Sequence, residues 1–324
     1  MFDDYPNLKA SSTFTQDKLQ TVRRQLQESL AESRYGDKIT LVATGSYGRG
    51  EATPESDMDW YMILDADQVP EEVIPDELRA IQEIIAAAAP NSAGDTGTFG
   101  PEAWLRFSDM LANIGGHNDD NKNLTRRMLF LLEGNWLYGD QRFSQYRRKL
   151  LEKYFKEDSP EGQIPHFLLN DVIRYYRTIA TDFEYKVTQA GKSWGLRKTK
   201  LRFSRKLLYF GGLITIAEVT PLTYTNKLEK ADELFDIPVL KRVNHLSEGQ
   251  AIANDLLDIY EQFSTQLTDP RVRHELGVLK REDRETSSCY QALKALSEQF
   301  SQALASWLQA KYPAKHPIHH AMLF

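Results

Sequence analysis

Residues 39–64 read ITLVATGSYGRGEATPESDMDWYMIL, and the fold is decided there. Ile39 to Ala43 is short, apolar and β-prone, and it ends on Thr44-Gly45-Ser46, a turn signal. A second strand is expected from Asp57 to Leu64, with Met58, Tyr61 and Ile63 as its anchors. Between the two, Gly45 lets backbone approach a ligand closely. The short helical start after it offers N–H groups and a positive helix end to an anion. The Ser46 hydroxyl can donate to a phosphate oxygen. Asp57 and Asp59 stand at i and i+2, so strand alternation puts both carboxylates on one face. Such a pair repels itself unless a cation lies between. Magnesium takes such oxygens together with substrate phosphates. Two metal ions held this way stabilise both the attacking and the leaving oxygen of an in-line displacement. A plain turn before a solvent-facing Asp-x-Asp strand is the other reading. Each half is common alone; both in order, with Arg49 and Ser56 between them, are much rarer.

Outward from this stretch, Leu19, Val22, Leu26 and Leu30 recur at helical spacing and predict a helix over about Thr15–Ser33. Leu78, Ile81, Ile84 and Ile85 predict a helix that stops at Pro90, and residues 91–100 allow a third, weak strand. After Pro101 the pattern is almost entirely helical, with starts near Glu102, Asn123, Phe143, Pro165, Arg197, Ile237 and Ser287. At 324 residues the chain exceeds the usual single core. The polar break Ser159-Pro160-Glu161-Gly162 divides it into residues 1–158, mixed α/β, and residues 159–324, helical. The fold class is α+β.

The formal net charge of −6 argues against bulk attraction to nucleic acid or an anionic membrane, while leaving room for a local basic groove. One cysteine, Cys289, excludes an internal disulfide and a cysteine-based zinc site and fits a reducing cytoplasm. No apolar run is long enough to span a bilayer, and Met1-Phe2-Asp3-Asp4 is acidic where a signal peptide is basic. A cytoplasmic protein without a membrane partner is the expectation; the oligomeric state is unreadable.

Glycine–serine followed by Asp-x-Asp on a strand resembles the polymerase-beta nucleotidyltransferase superfamily, and GSYGRGEATPESDMD is especially similar to bacterial uridylyltransferase-like domains. The resemblance implies a small mixed sheet with helices, Gly45, Ser46 and Arg49 as nucleotide-binding residues, and magnesium, with manganese as the alternative, on Asp57 and Asp59. It implies an NTP substrate, ATP favoured, whose nucleoside monophosphate passes to a protein or RNA acceptor. The superfamily usually adds a third carboxylate from a later strand. Asp95 is the best-placed candidate to complete the catalytic set, against an ordinary Gly-Asp turn. Asp119-Asp120 is the rival, against a polar loop and N-cap. Without a third carboxylate the domain could bind a nucleotide without turning it over.

Arg197 to Lys206 forms the one strong basic run, and Lys198, Arg202 and Arg205 would share a helical face. They could hold a triphosphate or follow an RNA backbone, or make a solvated basic helix. A second-messenger synthase, a small-molecule nucleotidyltransferase and a non-catalytic nucleotide-binding regulator remain as alternatives.

Overall fold

The computed structural model describes residues 2–66, 69–89, 99–112, 114–189, 191, 193–249 and 251–323. The chain divides into two compact units, residues 10–154 and residues 155–324 together with 1–9.

Helix α1 (Pro6–Ser29) is followed by β1 (Ile39–Ala43), α2 (Gly45–Arg49), β2 (Trp60–Leu64), α3 (Pro70–Val73) and α4 (Pro75–Ala88). Then come β3 (Trp104–Leu105), α5 (Phe107–Leu111), α6 (Asn121–Glu133), β4 (Asn135–Tyr138) and α7 (Asp140–Tyr154). Among the described residues the strands form one mixed sheet of order β3-β2-β1-β4. β1 runs antiparallel to β2, from Ile39 opposite Leu64 to Ala43 opposite Trp60, and antiparallel to β4, while β3 joins β2 in parallel. One face of the sheet, with Leu41, Trp60 and Met62, packs on Leu19, Val22 and Leu26 of α1 and on Leu78, Ile81 and Ile85 of α4. The residues of the other face, Val42, Tyr61 and Ile63, are also buried. Two covered faces explain why β1 and β2 read as unbroken apolar runs. At the outer side of β4, Arg23 of α1 donates to the Trp136 carbonyl (2.9 and 3.0 Å) and lies over that residue's ring, 3.6 Å from its centroid.

Three details differ from the expectations. α1 starts at Pro6, because its first turns carry Asn7, Lys9, Ser11 and Ser12, which hide the apolar period. The helix expected near Glu102 is displaced by strand β3. The Met62 N–H donates to the Ala103 carbonyl (2.9 Å), so the sheet recruits Trp104 and Leu105 before the chain turns helical at Phe107. β4 also interrupts the helical run. α6 ends at Glu133, Gly134 takes an extended backbone close over the Phe130 carbonyl (2.4 Å from where a Cβ would stand), and Asn135–Tyr138 joins the sheet. The third strand expected over residues 91–100 falls mostly outside the described residues.

The second unit is helical: α8 (His166–Thr188), α9 (Trp194–Arg202), α10 (Ser204–Val219), α11 (Tyr224–Asp236), α12 (Val239–Leu246), α13 (Asn254–Thr268), α14 (Pro270–Val278), α15 (Ser288–Lys311) and α16 (Ile318–Ala321). Its core stacks Phe203 on Phe263, with ring centroids 4.1 Å apart, and on Phe300. No described helix is long and apolar enough to cross a membrane.

Candidate active site

The β1–α2 turn is built around Gly45, which holds φ at +64°. A Cβ on it would stand 2.7 Å from Oδ2 of Asp59, so the glycine is what brings that carboxylate under the turn. The Thr44 N–H donates to the Asp59 carbonyl (2.8 Å), extending the β1–β2 ladder past its last strand pair. Strand β2 itself begins at Trp60, so Asp57 and Asp59 lie in its lead-in, where β1 has already turned away. The alternation expected of them persists: both are half-buried, while Met58 between them and Trp60 after them are buried. The structure therefore brings Gly45 and Asp59 together, with Asp57 half-buried two residues earlier. Asp57 also lies near enough to Tyr47 to act on its phenol, whose pKa is raised, first by burial and then by that negative charge.

The turn is held from below. Glu133, at the end of α6, has a fully buried side chain. It accepts the Gly45 N–H through Oε1 (3.1 Å) and pairs with the Arg49 guanidinium through Oε2. Arg49 also donates to Glu51 (2.9 Å) and is only 8% exposed. It lies in the wall beneath the turn and acts as a brace. Gly48 completes the contact, since a Cβ there would stand 2.1 Å from the Glu133 carbonyl oxygen. On the far side of the loop, Thr15 of α1 accepts the Ala52 N–H (2.9 Å) and Ser56 accepts the Thr53 N–H (3.0 Å). Ser46, half-buried, sits in this frame at the second position of α2. Sequence reasoning missed Glu133. Its only trace is a carboxylate closing the apolar run Met128–Leu132, and nothing local says that the acid is buried.

Asp95 lies outside the described residues. Asp119, its rival, forms a buried two-pronged pair with Arg127 (2.7 and 2.9 Å), and Asp120 caps α6 by accepting the Asn123 N–H (2.7 Å). Among the described residues, no group of three or more histidine, cysteine, aspartate or glutamate side chains gathers as a metal site. Asp57 and Asp59 supply carboxylate oxygens, the donor chemistry that a hard cation takes.

Lys198, Arg202 and Arg205 lie in the second unit, on two helices rather than one face. α9 ends at Arg202, the buried Phe203 turns out of helical geometry, and Arg205 falls in the first turn of α10. Arg202 donates to Ser297 (2.9 Å), and the Lys198 ammonium stands 5.1 Å from the centroid of the Phe183 ring. Burial, and then repulsion from Arg202, lower the pKa of Lys198.

Residues 23–89 match the family described as nucleotidyltransferase domain. The matched span contains β1, the Gly45–Ser46 turn, both aspartates, β2 and α4, and it stops short of Glu133 and of the second unit. No curated protein matches the chain. The first unit thus carries a nucleotidyltransferase domain, and general nucleotidyl transfer is the activity that the match supports.

Proposed function

We propose that the chain moves a nucleoside monophosphate from an NTP, ATP favoured, onto a protein or RNA acceptor, with magnesium on Asp57 and Asp59. The observation that carries this reading is the packing of the Asp59 carboxylate against Gly45, where a side chain would collide with it. That contact couples the Gly45–Ser46 turn to the Asp59 carboxylate. The backbone of Gly45 and Ser46 would face the triphosphate, and Arg49 would act on it through the turn it braces. An acceptor hydroxyl oxygen bonds to the α-phosphorus as the α–β bridging bond breaks. Pyrophosphate leaves with the bonding electrons, and the hydroxyl proton passes to a base, for which Asp95 is the candidate. Bound magnesium would neutralise charge on the phosphates and on the departing pyrophosphate. Lys198, Arg202 and Arg205 are proposed as further positive charge for a phosphorylated ligand, and a cytoplasmic setting goes with the reading.

Should no third carboxylate stand with Asp57 and Asp59, the second reading is a regulator that binds nucleotide without turnover. The discriminating experiment supplies each α-labelled NTP with magnesium and cell lysate to the wild type and to an Asp57→Ala/Asp59→Ala variant. Label transferred by the wild type alone supports the transferase. Metal-dependent NTP binding with no transferred label and no released pyrophosphate favours the regulator.

A further inference from the structure

In the second unit, α15 fixes two cations side by side. The Arg202 guanidinium, at the end of α9, donates to the Ser297 hydroxyl (2.9 Å), and the Lys206 ammonium, in the first turn of α10, donates to the Ser301 hydroxyl (2.5 Å). The two serines lie one turn apart, and Ser301 donates in turn to the Ser297 carbonyl (2.7 Å). The two positive charges therefore stand about 5–6 Å from each other. Among the described residues neither makes an ion pair. Elsewhere a buried arginine meets a carboxylate, as Arg49 meets Glu133 and Arg127 meets Asp119, whereas here α15 offers only hydroxyls. Burial, and then the field of Arg202, lower the pKa of Lys206, and no acid opposes them. Lys198, one turn before Arg202, feels Glu184, but that acid is taken by Arg281 (3.2 Å).

Two tyrosines adjoin the pair with donors to spare. Tyr209 follows Lys206 by three residues on α10, so the two share a helix face. Tyr176 of α8 stacks on it, with ring centroids 4.7 Å apart and planes 18° from parallel. Both tyrosines are half-buried, yet among the described residues neither hydroxyl has a partner and neither is sealed from solvent. Lys206 is half-buried too, and spends one of three donors on Ser301. Arg242 is the contrast: it is wholly buried, and its guanidinium is spent on Gly211, Thr215 and Ile237. Two half-buried cations that repel each other call for a dianion, since one negative charge leaves one of them uncompensated. A tetrahedral oxyanion also supplies acceptors for the remaining ammonium and phenol donors. We infer that Arg202, Lys206 and the Tyr176–Tyr209 pair bind a phosphate dianion, free or as the terminal phosphate of a nucleotide. The site sharpens the role proposed above for the basic run, with Lys206 in the place given to Arg205, and it stands whether or not the first unit transfers nucleotide.

The test uses the full chain without magnesium at about pH 8, where a phosphate monoester carries close to two charges. Inorganic phosphate and adenosine monophosphate are the probes, with acetate and chloride at equal ionic strength as controls. Both probes are expected to raise the melting temperature, and acetate is not. In the wild type, phosphate should also raise the titration point of the Lys206 ammonium followed by NMR. Lys206→Met should bind phosphate about tenfold more weakly or worse, and Lys206→Arg should restore most of the affinity. Lys241→Met removes another half-buried lysine of the same unit and should leave phosphate binding unchanged. A tighter adenosine monophosphate arm assigns a nucleotide source, and equal arms assign phosphate alone. Unchanged binding in Lys206→Met overturns the site, as does an equal loss in Lys241→Met. An equal response to acetate overturns the dianion, and so does a response to a short RNA without terminal phosphate when inorganic phosphate gives none. If Lys206→Met fails to fold, Tyr209→Phe, which removes one hydroxyl, carries the same comparison, and a wild-type Lys206 titration that phosphate does not move overturns the site alone. Loss of label in the NTP assay with phosphate binding intact removes the transferase and keeps this site.

Discussion

Replacing Gly45 by alanine separates the two things that glycine does. The first is conformational: at φ +64° an alanine pays the left-handed penalty of about 1–2 kcal/mol. The second is steric. The new Cβ would start 2.7 Å from Asp59 Oδ2, while ordinary contact begins near 3.4 Å, so the carboxylate has to yield by roughly 0.7 Å. A misplacement of about 1 Å at a reacting centre costs on the order of 100-fold, so transfer should fall by roughly 10- to 100-fold. Gly162→Ala is the matched control, with φ at +77° and nothing within 4 Å of the new methyl group. Both variants should lose similar stability, a few degrees of melting temperature. Only Gly45→Ala should lose label transfer, and metal-dependent ATP affinity with it, per folded molecule. Equal activity in the two variants would refute the claim that this glycine exists to admit the Asp59 carboxylate.

Further outcomes follow from the buried charges and phenols. Glu133→Gln leaves the buried Arg49 short of its main counter-charge and should cost about 3–5 kcal/mol in denaturant melts; pairing it with Arg49→Gln should cost less than the sum of the single changes. Asp119→Asn breaks the two-pronged pair with Arg127 and should lower stability by about 3 kcal/mol, yet leave magnesium-dependent transfer per folded molecule unchanged, whereas loss of transfer without loss of stability would return Asp119 to the metal. The Tyr146 phenol is pushed up to about 12, chiefly by burial, so between pH 10 and 12 the folded state holds a proton that the unfolded chain releases. Stability must therefore fall as pH rises through that window, by about 2 kcal/mol from this group, and Tyr146→Phe should flatten the fall in melts taken at each pH.

The part of the site that was legible is the part whose chemistry is local. Gly45, Ser46, Asp57 and Asp59 are near in sequence, and alternation with a turn is enough to make them candidates. Glu133 could not be found that way, because a buried acid differs from an exposed one only by what packs around it. Arg49 shows the same limit from the other side: its charge was legible, but its commitment to Glu133 was not. In the fold, β1 and α4 follow directly from apolar runs and periods. β3 did not, since its two residues join the sheet by pairing with Met62 and Ile63 and carry almost no pattern of their own. The basic run Arg197–Lys206 looked like one amphipathic face until burial of Phe203 broke the helix between Arg202 and Arg205.

The Arg23 contact on β4 bears on how this protein behaves in a crowded solution. An exposed strand edge is a template on which a stray strand can grow, and natural sheets block it with charge or cover. Here one arginine does both, occupying the Trp136 carbonyl and covering the neighbouring indole. Removing it, as in Arg23→Ala, would uncover an aromatic, hydrogen-bond-hungry border, and the cost would be read as self-association and loss on storage rather than as a slower reaction.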